Sequence, residues 1–162
     1  MDRKNKPLAM KILLPVDESA CSAEAIHAVT ERPWPAGTTI RVLSAVESVG
    51  YPEMGPMMFD AGGAFEKLQQ QRTKEASRLT KRVANTLAAH GLATETVVHD
   101  GDPRSVIVDE AEDWKADLIV LGSHGYSGLK RWLLGSVAQS VVSHAPCSVE
   151  VVRKREGDKA RG

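Results

Sequence analysis

The 162-residue sequence is poor in several features that mark familiar protein classes. Its two cysteines, Cys21 and Cys147, lie far apart, with no CxxC spacing and no neighbouring ligand cluster. That argues against a zinc site and a disulfide framework, and both residues read as buried thiols. Aromatic residues make up 4% of the chain. No apolar run approaches the ~20 residues of a membrane span, and no N-terminal stretch has the apolar core of a signal peptide. A cytoplasmic protein without a membrane partner is expected. Net charge is missing too. Lys plus Arg (21) equals Asp plus Glu (21), so there is no broad positive field for nucleic-acid binding. His27, His90, His99, His124 and His144 show no HExxH spacing, and no GxxxxGK[ST] loop follows the first apolar run. These two absences remove a zinc hydrolase and a P-loop NTPase.

The zero balance hides a pattern. Residues 1–11 carry Arg3, Lys4, Lys6 and Lys11 against Asp2, and residues 153–162 carry Arg153, Lys154, Arg155, Lys159 and Arg161 against Glu156 and Asp158. Each end is therefore +3 and the body between them −6. The ends, 1–10 and 154–162, read as solvated, solubilising tails rather than arms for RNA or a membrane surface. They flank one domain over 11–153, of ordinary composition at 42% hydrophobic and 26% charged residues.

Three unbroken apolar runs, Lys11–Val16, Thr39–Val46 and Asp117–Gly122, suit parallel strands covered on both faces; Thr94–Val98 and Ser148–Val152 make five. Helical spacing fills the intervals: Ala23–Arg32; Ala64–His90 with Ala76, Leu79, Val83 and Leu87 on one stripe; Pro103–Trp114 with Val106, Ile107, Ala111 and Trp114; and Ser136–His144. The alternation predicts an α/β fold, a single-domain doubly wound five-stranded parallel sheet with helices on both faces. Its ligand site is expected beyond the carboxyl ends of the strands, at the topological switch point. Asp102-Pro103 reads as an N-cap with proline at the first helical position, Gly91 as a helix stop, and Pro146 as the end of the last helix. Residues 47–63, with Tyr51, Pro52, Met54, Gly55, Pro56, Met57 and Met58, show neither period; a lid over the site and a mobile surface loop are both open.

The chemistry concentrates in the last strand-to-helix connection, Gly122-Ser123-His124-Gly125-Tyr-Ser-Gly128-Leu-Lys130-Arg131-Trp-Leu-Leu-Gly135-Ser136-Val137-Ala-Gln139. At Gly122 and Gly125 the missing Cβ admits a ligand or neighbouring backbone and permits positive φ. Ser136-x-x-Gln139 has the form of a capping box at a helix start, where unpaired amides and the helix dipole attract anions. The loop is suited to phosphates without a lysine clamp; the plainer reading gives the glycines only tight turns. Lys130 and Arg131 read mainly as a solvated helical pair. Asp17, in Pro15-Val16-Asp17-Glu18-Ser19 at the end of the first strand, is placed to accept ribose hydroxyls or to cap the following helix.

Gly122-x2-Gly125-x9-Gly135-Ser136, with Asp17 after strand one and Asp100-Gly101-Asp102-Pro103 after strand three, resembles the ATP-binding branch of the universal stress protein family over roughly Lys11–Arg153. That resemblance implies a Rossmann-like, adenine nucleotide alpha hydrolase-like fold that binds ATP. It assigns the ribose to Asp17, beside Pro15 and Val16, the adenine to the backbone at Ala45, and the sugar to Gly122. Phosphates fall to Gly125, Gly135, Ser136 and Val137. Ser123 and His124 lie in the same signature, with His124 orienting the loop rather than acting as a general base. Mg2+ enters with the phosphates. The resemblance also implies a homodimer through the last strand, Ser148–Val152, with Glu150 turned to solvent or to the partner. No dedicated water-positioning or metal-holding pair stands out, so a binding and regulatory module with at most slow ATP hydrolysis is expected. The alternative is a nucleotide-free interaction module of the same fold. A receiver domain would use Asp17/Glu18, Asp100, Ser123 and Lys154, but it needs a helix after strand five and has no use for Gly135-Ser136.

Overall fold

The computed structural model describes residues 8–48, 63–123 and 134–153. Five strands and four helices alternate: β1 (Lys11–Pro15), α1 (Ala20–Glu31), β2 (Thr39–Val46), α2 (Ala64–Ala89), β3 (Ala93–Asp100), α3 (Pro103–Asp113), β4 (Leu118–Gly122), α4 (Ser136–His144) and β5 (Ser148–Val152). All strands pair in parallel in the order β3-β2-β1-β4-β5. The chain thus winds outward from β1 to one edge, then returns to β4 and winds to the other. The switch point lies between β1 and β4.

Alternate residues of the central strands feed two apolar layers. Ile12 and Leu14 of β1 join Ala25 and Val29 of α1 and Leu79, Val83 and Leu87 of α2 on one face. Leu13 joins Ile107 and Ala111 of α3, Trp114, and Ala138 and Val141 of α4 on the other. Both faces of β1 are therefore sealed, which is why its sequence is a run rather than an alternation. The buried stripe expected on α2 is present; on α3, Val106 is only half-buried.

Helix ends follow local chemistry. Asp102 caps α3, its Oδ1 accepting the Arg104 amide at 2.8 Å, with Pro103 opening the helix. After α2, Gly91 sits at φ +81°, and the Gly91 and Leu92 amides donate to the Ala88 and Leu87 carbonyls, a Schellman turn. Ala145 is extended before Pro146, ending α4.

Several boundaries differ from the sequence reading. Helix α1 begins at Ala20 rather than Ala23, because Ser19 caps it and accepts the Ser22 amide at 3.1 Å. Strand β3 spans Ala93–Asp100 because it pairs along the whole of β2. Strands β1 and β4 are each one residue shorter, and α3 stops at Asp113 with Trp114 as its C-cap. Cys21 and Cys147 are half-buried rather than buried; partial burial and Asp117 push the Cys147 thiol up. Glu150, a third of its side chain exposed, has a partner within the chain. It forms a two-pronged ion pair with Arg32, both contacts at 2.6 Å, because β5 lies beside the end of α1.

Candidate nucleotide site at the switch point

The β1–β4 pairing register runs only through Ile12–Leu118 and Leu13–Ile119, whereas β1 pairs with β2 over all five of its residues. No β1–β4 register pair follows Leu13 and Ile119, and the carboxyl ends of the two strands lie at the switch point, where doubly wound sheets have their crevice. The connections leaving β1 and β4 form its rim.

On the β1 side, Pro15 is half-buried and Val16 buried, with the Val16 amide donating to Leu43 O at 2.8 Å. Asp17, Ser19 and Ser22 then form a side-chain web. Asp17 Oδ1 accepts the Ser19 amide at 3.0 Å and the Ser19 hydroxyl. The Asp17 amide donates to Ser22 Oγ at 3.1 Å. The helix cap is Ser19 rather than Asp17, and Asp17 instead fixes the cap. The two bonds from Ser19 hold the carboxylate of half-buried Asp17 just beyond β1, beside the start of α1. Ala45 lies two residues beyond the last β1–β2 pair, half-buried and in register with His99 of β3.

On the β4 side, a Cβ added to Gly122 would lie 2.5 Å from the Cys21 carbonyl carbon and 2.6 Å from its oxygen. The glycine lets the first turn of α1 press against the end of β4. The close approach read at this position is met by the Cys21 backbone, and positive φ is not used. Ser123, 3% exposed, ties three elements: its amide donates to Val152 O of β5 at 2.9 Å, its carbonyl accepts the Gly135 amide at 2.8 Å, and its hydroxyl meets Cys21 Sγ at 3.7 Å. The start and end of the 123–135 connection therefore touch.

The capping box does not form. Gly135 is the N-cap, at φ −61° and ψ 157°, without a side-chain cap bond, and Ser136 is already the first helical residue. The Gln139 amide donates to Gly135 O at 2.9 Å, closing the first turn. Helix geometry leaves the amides of Ser136, Val137 and Ala138 without intrahelical acceptors. Ser136 is exposed and Val137 half-buried. Two helix N-termini, those of α1 and α4, thus flank the end of β4 and impose a local positive potential in an acidic body. His124 and Gly125, Lys130 and Arg131, the Tyr51–Met58 stretch, and most of both tails fall outside the described residues.

Ser19, Cys21 and Ser22 are site residues that sequence reasoning missed. The Asp17-x-Ser19-x-x-Ser22 spacing carries a local signal for two of them, since Asp and Ser side chains bond nearby amides. Nothing local marks Cys21.

The Universal stress protein family matches residues 9–153. The chain belongs to that family. Universal stress protein MJ0531 of Methanocaldococcus jannaschii is 36% identical over 155 residues, 94% of this chain and 86% of that protein. Among solved structures, hypothetical protein MJ0577 superposes with a TM-score of 0.76 at 27% identity, covering 91% of this chain and 98% of its own. Two others share the fold at lower identity. A universal stress protein in complex with cAMP has a TM-score of 0.63 at 22% identity, covering 88% of this chain and 96% of that one. One from Arabidopsis thaliana with AMP bound has a TM-score of 0.60 at 20% identity, covering 94% and 96%. The five-stranded parallel α/β architecture is thus the one this family shares. No helix among the described residues is long and apolar enough to cross a membrane.

Proposed function

We propose that this universal stress protein binds ATP at the β1/β4 crevice and acts as a nucleotide-dependent regulatory module in the cytoplasm rather than as a turnover enzyme. One observation carries the reading: the N-termini of α1 and α4 both lie beside the end of β4, and the Asp17 carboxylate, held by its bonds to Ser19, stands at the α1 end. Amides at the start of α4 suit phosphate oxygens, and an ionised carboxylate accepts from ribose hydroxyls. Pro15, Val16 and Ala45 would supply backbone and apolar surface to the nucleoside, and Gly122 and Ser123 would shape the sugar side. Gly135, Ser136 and Val137, with His124 and Gly125, would hold the phosphates. That fold-mates hold cAMP and AMP supports an adenine nucleotide. Among the described residues no group of three or more His, Cys, Asp or Glu could hold a metal, so Mg2+ would arrive on the phosphates. Strand β5 is a sheet edge, and pairing with a two-fold mate would cover it.

A second reading has its own observation. The Cys21 contact accounts for Gly122 without any ligand, as a nucleotide-free interaction module would require. Calorimetry with Mg-ATP separates the two. Wild type should bind, Gly135→Val should bring binding below detection, and Asp17→Ala should weaken it by roughly tenfold to a hundredfold, the worth of bonds to a charged acceptor. No binding by wild type, or equal affinity in all three, would leave the second reading standing.

A further inference from the structure

Helix α2 is 26 residues long, and its buried residues begin only at Ala76. Lys67, Lys74, Arg78, Lys81 and Arg82 are all exposed. They fall within about 100° of the helix circumference, opposite the buried stripe, over about 22 Å. No ion pair among the described residues uses any of the five. The two carboxylates of α2 are engaged by glutamines instead, Gln70 on Glu66 at 3.2 Å and Gln71 on Glu75 at 3.0 Å. Elsewhere Arg32, Arg41 and Arg104 each hold a carboxylate. On the opposite layer, α3 presents the inverse: Asp109, Glu112 and Asp113 are exposed on one side of that helix, with no ion pair among the described residues.

Both helices rest on β2, from opposite faces of the sheet. Both run antiparallel to the strands, so they run parallel to each other. A translation across the sheet, with a slip along that shared direction, lays the basic row of one molecule on the acidic row of the next with their axes aligned. We infer that these rows form a head-to-tail contact between copies of this chain, salt-sensitive and separate from any pairing at β5. Charge complementarity within one sequence favours a second copy over other anions. A long polyanion would also meet the acidic remainder of the body, and with Gln71 among the cations and Asn85 just past them, Leu68 at the edge of the row is the one large exposed apolar side chain among the described residues of α2, too little to enter a bilayer. Such a heterologous contact propagates rather than closes.

The experiment is sedimentation velocity on the full chain without nucleotide, across a wide concentration range at about 0.02 M and about 0.5 M salt, where the screening length falls several-fold. The expected result is concentration-dependent growth at low salt that collapses to a salt-resistant unit at high salt. The pair Lys74→Glu/Arg78→Glu should weaken the low-salt association at least roughly tenfold, as should Asp109→Lys/Glu112→Lys. Mixing the two doubly substituted proteins should restore it, because each basic row again meets an acidic one. Circular dichroism melts check that these surface variants fold. Absence of salt-sensitive growth in wild type, or failure of the mixture to associate when both variants are folded, overturns the contact. Binding of duplex DNA or anionic vesicles without self-association, lost in Lys74→Glu/Arg78→Glu, overturns it in favour of another polyanion.

Discussion

The two connections that border the crevice are built from different materials. Between β1 and α1, residues 16–19 are short and held by side chains: the Asp17 carboxylate and the Ser19 and Ser22 hydroxyls supply most of the bonds. Between β4 and α4, residues 123–135 are long, and their ends are held by the main chain, through Ser123 to Val152 and Gly135 to Ser123, with Gly122 packed on the Cys21 backbone. A side-chain web can be dismantled one atom at a time, and each deletion costs a modest amount. Short of proline, which removes the amide, substitution does not delete a main-chain bond; such bonds yield to bulk. The first connection should therefore respond gradually to alanine, and the second abruptly to added volume.

The largest test of that contrast is Gly122→Val. Even the first added carbon would sit 2.5 Å from main-chain atoms of α1, so β4 and α1 must part. A loss of about 3 kcal/mol or more in chemical denaturation is expected, the upper range for overpacking. A loss below about 1 kcal/mol would mean that α1 shifts easily and the main-chain side is as soft as the other. Gly135→Val comes next. Its φ and ψ lie in the extended region that any residue adopts, so the fold should lose only about 1 kcal/mol, for a poor N-cap. Nucleotide binding should be lost entirely. Equal damage to stability and binding would erase the distinction between a packing glycine and a ligand glycine.

The sheet, the helices and most caps were legible because they are written locally. The β1 run shows a strand sealed on both faces, Asp102-Pro103 a helix start and Gly91 a helix stop. What stayed illegible depends on strand order. The glycine pattern announced close approach at Gly122 but not that the approaching body is Cys21, over a hundred residues away. Glu150 could not be matched with Arg32 before β5 was known to lie beside α1. The Ser136-x-x-Gln139 spacing misled for a different reason: the helix begins one residue earlier than that box requires, so Ser136 holds a helical position rather than the cap. The candidate site was thus readable in its location, and unreadable in which contacts are structural.

On the side-chain connection the effects should be smaller. Ser19→Ala removes the α1 cap and the hydroxyl that Asp17 holds, and should cost about 1 kcal/mol in thermal or chemical unfolding. Mg-ATP affinity should fall by less than the Asp17→Ala variant loses, because the Ser19 amide still orients the carboxylate. A larger fall than in Asp17→Ala would show that the web, not the carboxylate, is what the ligand reads.

The β3–α3 connection extends the comparison to a side-chain junction that is open to solvent. The Arg104 guanidinium, and after it the Arg104 amide, hold the Asp102 carboxyl down to about 2 from 3.8. Because the folded value is depressed, this contribution to stability is complete above about pH 3.8 and is lost as pH falls through about 2. Exposure and salt screening keep it small. An NMR titration of the Asp102 carboxyl should find its midpoint near 2 in wild type. In Arg104→Ala the guanidinium is gone but the amide bond at 2.8 Å remains, so the midpoint should rise only part of the way to 3.8. Full return would mean that the amide bond depends on the guanidinium; no change would mean that the cap alone sets the value, and that this junction, like the β4 one, is governed by its main chain.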